Sequence, residues 1–216
     1  MTQEAVLNLF RFMCEASLVT IKIFALTLIF GLPLGLIVSF GRMSKMTIIN
    51  APIKLYLLIM RGTPLILQLF FFFYFPYYIF GNTLPRFWAA ILAMSINYAA
   101  YFAEIYRAGI ESMPIGQYEA AKVLGFCKYQ TFYKIILPQV VKRILPPMGN
   151  EFMTLVKDTA LVSVIGVSEI YNLATDTMSK ASSLVPLIMA GVFYLIMNSL
   201  VSKICTLAED KMSYYK

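Results

Sequence analysis

Five apolar stretches decide what this chain can fold into. They cover about residues 18–40, 64–80, 87–106, 144–165 and 184–204, and the first is broken only by Lys22. Roughly 20 apolar residues cross a bilayer as a helix. Lipid offers the backbone no hydrogen-bond partner, so a spanning segment must satisfy its own N–H and C=O groups, as a helix does. Only 13% of the 216 residues are charged, about half the usual share of a soluble protein and too few to coat a water-facing globule. The expected fold is therefore all-α: a polytopic membrane protein with about five transmembrane helices. Residues 1–216 read as a single domain, with no internal repeat or linker visible.

Lysine and arginine in the connections set the orientation. Arg42, Lys45, Lys54 and Arg61 follow the first stretch, and Arg107, Lys122, Lys128, Lys134, Lys142 and Arg143 follow the third. With Lys203, Lys211 and Lys216 they make thirteen on one side, against Arg11, Arg86 and Lys180 on the other. That bias predicts an external N-terminus, a cytoplasmic C-terminus and an external 172–183 connection. It also accounts for the net charge of +7 through membrane orientation and contact with membrane lipid, and no nucleic acid is expected. Glu4, Arg11 and Glu15 interrupt the N-terminal region, which does not read as a cleavable signal. Cys14, Cys127 and Cys205 lie far apart and there is no histidine, so no metal site, cofactor or catalytic residue set is expected.

Residues 42–60 read as an amphipathic elbow at the inner interface. Gly31 and Gly35, with Pro33 between them, mark either a close helix contact or a kink. The aromatic run 70–74, with Tyr77 and Tyr78, reads as lipid-facing bulk and an outer interfacial belt.

The connection between Arg107 and Arg143 is unusually long without being low in complexity. Pro114 and Gly116 mark a turn, residues 117–124 a short helix, Gly125 its C-terminal cap, and residues 128–136 a second short helix stopped by Pro138. Within this region, about residues 111–140, stand Glu119-Ala120-Ala121, three residues, Gly125, nine residues and Ile135-x-Leu137-Pro138. This pattern resembles the EAA loop of ABC importer permeases. Gly116-Gln117, Arg61-Gly62-Thr63-Pro64 with Gln68, Ala103-Glu104-x-x-Arg107-Ala108-Gly109-Ile110 and Gly149-Asn150-Glu151-Phe152 with Lys157-Asp158-Thr159 are similar to the polar amino acid branch of that family. The resemblance covers roughly residues 16–206.

The resemblance implies a bacterial plasma-membrane permease subunit for a polar amino acid, with the hairpin as its coupling helix. Gly116, Glu119, Ala120, Ala121, Lys122 and Gly125 are then the ATPase-coupling residues. Ala120 and Ala121 let a short helix enter a groove with its backbone close to the partner. Gly125 supplies a left-handed turn, and Glu119 meets a basic group of the partner or caps its own helix. The chain has no Gly-x-x-x-x-Gly-Lys-Ser/Thr, so ATP must be hydrolysed by separate ABC ATPase subunits. A second permease copy or paralogue and an extracytoplasmic solute-binding protein complete the expected assembly. A self-sufficient transporter is disfavoured because no duplicated halves are visible, and a membrane enzyme because no nucleophile–base set is.

Ionisable groups inside spans are costly and face cavities or partners. Glu151, Thr154 and Asp158 share a helical face that Leu161 and Val162 continue, and Asn97, Tyr101 and Glu104 recur on another. These stripes are expected to face each other across a cavity. Glu104 and Arg107 read as a structural ion pair, and Lys157 as a partner for another helix. The resemblance puts the substrate at Asn97, Tyr101, Glu151, Thr154, Asp158 and Leu161. The two acids serve an ammonium or cationic side chain, and Asn97 and Tyr101 donate to a carboxylate. A basic amino acid is favoured weakly, with cystine and glutamine open.

Overall fold

In the computed structural model, residues 3–212 are described, and every regular element among them is helical. Lys216, one of the basic residues used for orientation, lies outside them. The elements are α1 (Gln3–Arg42), α2 (Thr47–Gly62), α3 (Leu65–Phe80), α4 (Arg86–Glu111), α5 (Ile115–Val123), α6 (Lys128–Gln130), α7 (Leu137–Asp158), α8 (Ile170–Ala181) and α9 (Val185–Lys211). Each of the five apolar stretches lies on a helix. Two segments, Glu4–Arg42 and Val185–Lys211, are long and apolar enough to cross a membrane unaided.

The expected elbow is present. α2 meets α3 at 113° because Pro64 forces the preceding residue out of the helical region: Thr63 is extended, at φ −118° and ψ 148°. Gln68 then locks the corner. Its amide nitrogen, Nε2, donates to Met60 O at 3.0 Å and to Thr63 Oγ1 at 2.8 Å.

α4 is the central post. Ala89, Ala90, Ala93, Ala99, Ala100 and Ala103 are all fully buried, and such small side chains let neighbouring helices approach closely. α1 does so at its glycines, which decides between the two readings of Gly31 and Gly35 in favour of packing. The helix continues through Pro33. A Cβ on Gly35 would stand 2.8 Å from Phe102 Cβ and 3.1 Å from Ala99 O. Neither atom is the free end of a side chain, so the helices themselves would have to part. Gly35→Ala is expected to destabilise the fold by about 1–3 kcal/mol through overpacking, seen as a lower thermal midpoint in detergent. Gly191→Ala on α9, where nothing lies within 4 Å, serves as the control and should not lower it.

The hairpin differs from expectation in one respect. α5 ends as predicted: Gly125 is left-handed at φ +79°, its N–H reaches Lys122 O at 3.0 Å, and Phe126 N–H reaches Ala121 O at 3.0 Å. These are the paired bonds of a glycine-terminated helix. Pro138, however, does not stop the second helix. The chain runs without a break from Lys128 through a π-helical turn, Thr131–Ile136, into α7. Proline breaks an α-helix because it lacks an N–H and crowds the carbonyl four residues back. The helix widens where the proline stands: Leu137 N–H bonds Phe132 O, five residues back, and Pro138 falls at the change from π to α geometry, in the first turn of α7. The second arm of the hairpin and the fourth apolar stretch are thus helical without a break from Lys128 to Ile165.

α7 tightens into a 3₁₀ segment, Thr159–Ile165, which Gly166 ends at φ +74°. The 172–183 connection is largely helical, as part of α8. Its cap, Glu169, is fully buried and accepts from Tyr171 N and Asn172 N at 2.8 Å and from the Tyr194 hydroxyl at 2.6 Å. No sequence feature had singled out that carboxylate.

Candidate substrate cavity and coupling hairpin

α4, α7 and the elbow enclose a cavity of about 190 Å³. α4 contributes Asn97, Tyr98 and Tyr101, and α7 contributes Glu151, Thr154 and Asp158. The two predicted stripes do face each other. Leu161 is not among the lining residues. It lies three residues beyond the end of α7, on the 3₁₀ segment, packed against the core, where spacing calculated for an α-helix no longer holds.

Asn97 lines the cavity but is not available to a ligand as a donor. It is buried, and its amide nitrogen donates to Met60 O at 3.0 Å and to Gln68 Oε1 at 2.9 Å. Both N–H groups hold the elbow to α4. Tyr98 was missed: its hydroxyl donates to Asp158 Oδ2 at 2.7 Å. Its signal was its place one turn before Tyr101, masked by the spacing that favoured Asn97. Glu151 has no hydrogen-bond or ion-pair partner among the described residues. Lys157 is exposed and makes no ion pair among them.

Towards the basic end of α4, Glu104 gathers three arginines. Arg107 Nη2 is 2.7 Å from its carboxylate, Arg42 Nε 3.6 Å and Arg61 Nη1 3.9 Å. The expected Glu104–Arg107 pair is therefore part of a cluster, in which Arg107 also bonds Glu111. The Arg61 guanidinium lies over the Tyr101 ring, 5.5 Å from its centroid. A second cavity, of about 540 Å³, is lined by Arg61, Glu104, Arg107 and Arg143 and shares Tyr101 and Glu151 with the first.

The hairpin presents an apolar surface. Ile115, Val123, Leu124 and Tyr129 are each at least 73% exposed, a cluster of the kind that marks an interaction site. Gly116, Glu119, Ala120, Lys122 and Gly125 are exposed too, whereas Ala121 is buried within this chain. Ala121 therefore packs the hairpin on itself and does not enter a partner's groove. Glu119 makes no ion pair among the described residues and sits past the first turn of α5, so it does not cap it. Gln117 and Gln139 exchange amide hydrogen bonds at 2.8 Å, and Arg143 donates to Ser112 O at 2.7 Å. These bonds fix the hairpin to α7.

Comparison with known proteins is consistent with this architecture. The L-cystine transport system permease protein TcyB of Bacillus subtilis is 39% identical over 199 residues, covering 91% of this chain and 84% of that protein. The arginine transport system permease protein ArtQ of the same organism is 36% identical over 202 residues, covering 93% and 92%. A crystal structure of an amino acid ABC transporter with histidines superposes with a TM-score of 0.88 at 33% identity, over 98% of this chain and 99% of that one. The MetNI methionine ABC transporter, 18% identical, shares the fold with a TM-score of 0.75 over 99% of this chain and 100% of its own. Residues 31–214 match the family described as binding-protein-dependent transport system inner membrane component, and the chain belongs to that family.

Proposed function

We propose that this chain is the permease subunit of an ATP-binding-cassette importer that moves a polar amino acid across the bacterial plasma membrane. Separate ATPase subunits dock on the hairpin, a second permease copy or paralogue completes the path, and an extracytoplasmic solute-binding protein delivers the substrate. The carrying observation is the cavity: two carboxylates, Glu151 and Asp158, face tyrosines between membrane helices. Such groups are retained at that depth where they serve a transported ligand. Their acceptors suit an ammonium or a cationic side chain, which favours a basic amino acid and leaves cystine and glutamine open. Exposed Lys157 supports a protein or water-lined neighbour on α7, since lipid would not accommodate it.

The test is ATP-driven uptake in vesicles holding the permease, its ATPase and its binding protein. Uptake of L-arginine, L-cystine or L-glutamine is expected, and transport of none of the polar amino acids would reject the reading. Orientation is tested separately. Asp176→Cys on a background lacking Cys14, Cys127 and Cys205 should label with an impermeant thiol reagent from outside the cell, and labelling from the cytoplasm alone would reverse the topology.

A further inference from the structure

The cavity is rich in acceptors and nearly empty of donors. Among the described residues the Glu151 side chain makes no hydrogen bond or ion pair, and Asp158 accepts one hydrogen bond, from Tyr98. The donors are committed elsewhere. Asn97 is spent on the elbow, the Thr63 hydroxyl on Ile59 O at 2.8 Å, and the Thr154 hydroxyl on Asn150 O at 3.0 Å. Only the Tyr101 hydroxyl has no hydrogen-bond partner among the described residues. An α-carboxylate brings a full charge and about four acceptor positions. A lone phenol beside two carboxylates cannot compensate its loss of water.

The missing cation stands in the adjoining cavity, which shares Tyr101 and Glu151 with the first. Of its three arginines, Arg107 is bound to Glu104 and Glu111, and Arg143 is bound to Ser112 O. Lys157 lines neither cavity. Arg61 is held differently. Its ion pair is a long 3.9 Å contact to a carboxylate that Arg107 already engages at 2.7 Å. It also lies over the Tyr101 ring and its charge reaches Glu151, and its side chain is 44% exposed. Its backbone, by contrast, sits in the last turn of α2, next to the corner that Gln68 locks. A half-exposed guanidinium on a fixed mount, in the cavity adjoining a site short of donors, is suited to bidentate capture of a carboxylate.

We infer that Arg61 is the residue that binds the substrate's α-carboxylate, leaving the Tyr101 ring to do so while Asp158 and Glu151 hold the ammonium or cationic end. This deepens the proposed function and rests on it. A substrate must then carry both charges, and one without the carboxylate binds poorly.

The experiment is equilibrium binding to the purified permease–ATPase complex in nanodiscs, without binding protein, of L-arginine, L-glutamine and their α-carboxamides. Wild type should prefer acid to amide at least tenfold for the amino acid that binds. Arg61→Gln should erase that preference by weakening the acid and leaving the amide unchanged, and Glu104→Gln should preserve it. Should Arg61→Gln fail to assemble, Arg61→Lys, which keeps charge without the fork, is expected to show a reduced preference. Equal weakening of acid and amide, or an unchanged ratio in these Arg61 variants, would overturn the inference. Wild-type binding of neither amino acid nor of L-cystine would instead reject the amino-acid reading of the cavity, and this inference with it.

Discussion

Asp158→Asn is expected to weaken uptake of a cationic or zwitterionic amino acid tenfold or more, equivalent to about 1.4 kcal/mol or above on the affinity scale. The substitution preserves shape, and its amide oxygen can still accept from the Tyr98 hydroxyl, 2.7 Å from the native carboxylate. What disappears is the negative charge. Tyr98→Phe separates the two contributions, because it keeps the charge and removes one hydrogen bond, for which a typical loss is about 0.5–1.5 kcal/mol. Its effect should be smaller. Glu151→Gln should act like Asp158→Asn, and more strongly for a basic side chain, since the Glu151 side chain makes no hydrogen bond or ion pair among the described residues. Assembly with the ATPase should survive each change, because the hairpin lies on other residues. Substrate-dependent uptake in reconstituted vesicles measures the effect, and wild-type affinity in both Asp158→Asn and Glu151→Gln would make the carboxylates structural.

Gly125→Val should uncouple the complex. At φ +79° the residue is left-handed, and nothing lies within 4 Å of where a Cβ would be. The penalty is therefore one of backbone conformation, about 1–3 kcal/mol for a residue forced into such a region, and is highest for a branched side chain. Relieving it would unwind the end of α5 and displace exposed Leu124 and Val123 from the docking surface. Loss of ATPase co-purification and of uptake is expected, with membrane insertion retained. Gly125→Asn, which tolerates the left-handed region, should keep most of both. Normal uptake with Gly125→Val would remove the coupling assignment, and equal loss with both variants would mean that backbone conformation is not the cause.

What could be read from the sequence followed from one-dimensional signals. Apolar length located the helices, and the 3.6-residue period of α4 and α7 placed Asn97, Tyr101, Glu151, Thr154 and Asp158 on one cavity. Gly125 announced its own turn. Three of the failures depended on a bond partner distant in sequence or on a departure from ideal helix geometry. Pro138 looked like a stop because the π-helical turn that accommodates it has no sequence signature. Leu161 was placed by extending an α-helix past Asp158. Asn97 looked like a free donor because Met60 and Gln68, its actual partners, lie 37 and 29 residues away. Ala121 looked like a partner contact, since smallness does not reveal which surface a residue faces.

The most direct test is a cryo-electron microscopy structure of the permease–ATPase complex saturated with its amino acid. Density for the ligand is expected between Tyr101 and Asp158, with its positive end within hydrogen-bond distance of the Asp158 carboxylate and the Arg61 guanidinium moved off the Tyr101 ring. Ligand density elsewhere along the path, with this cavity empty and Arg61 still resting on Tyr101, would contradict it.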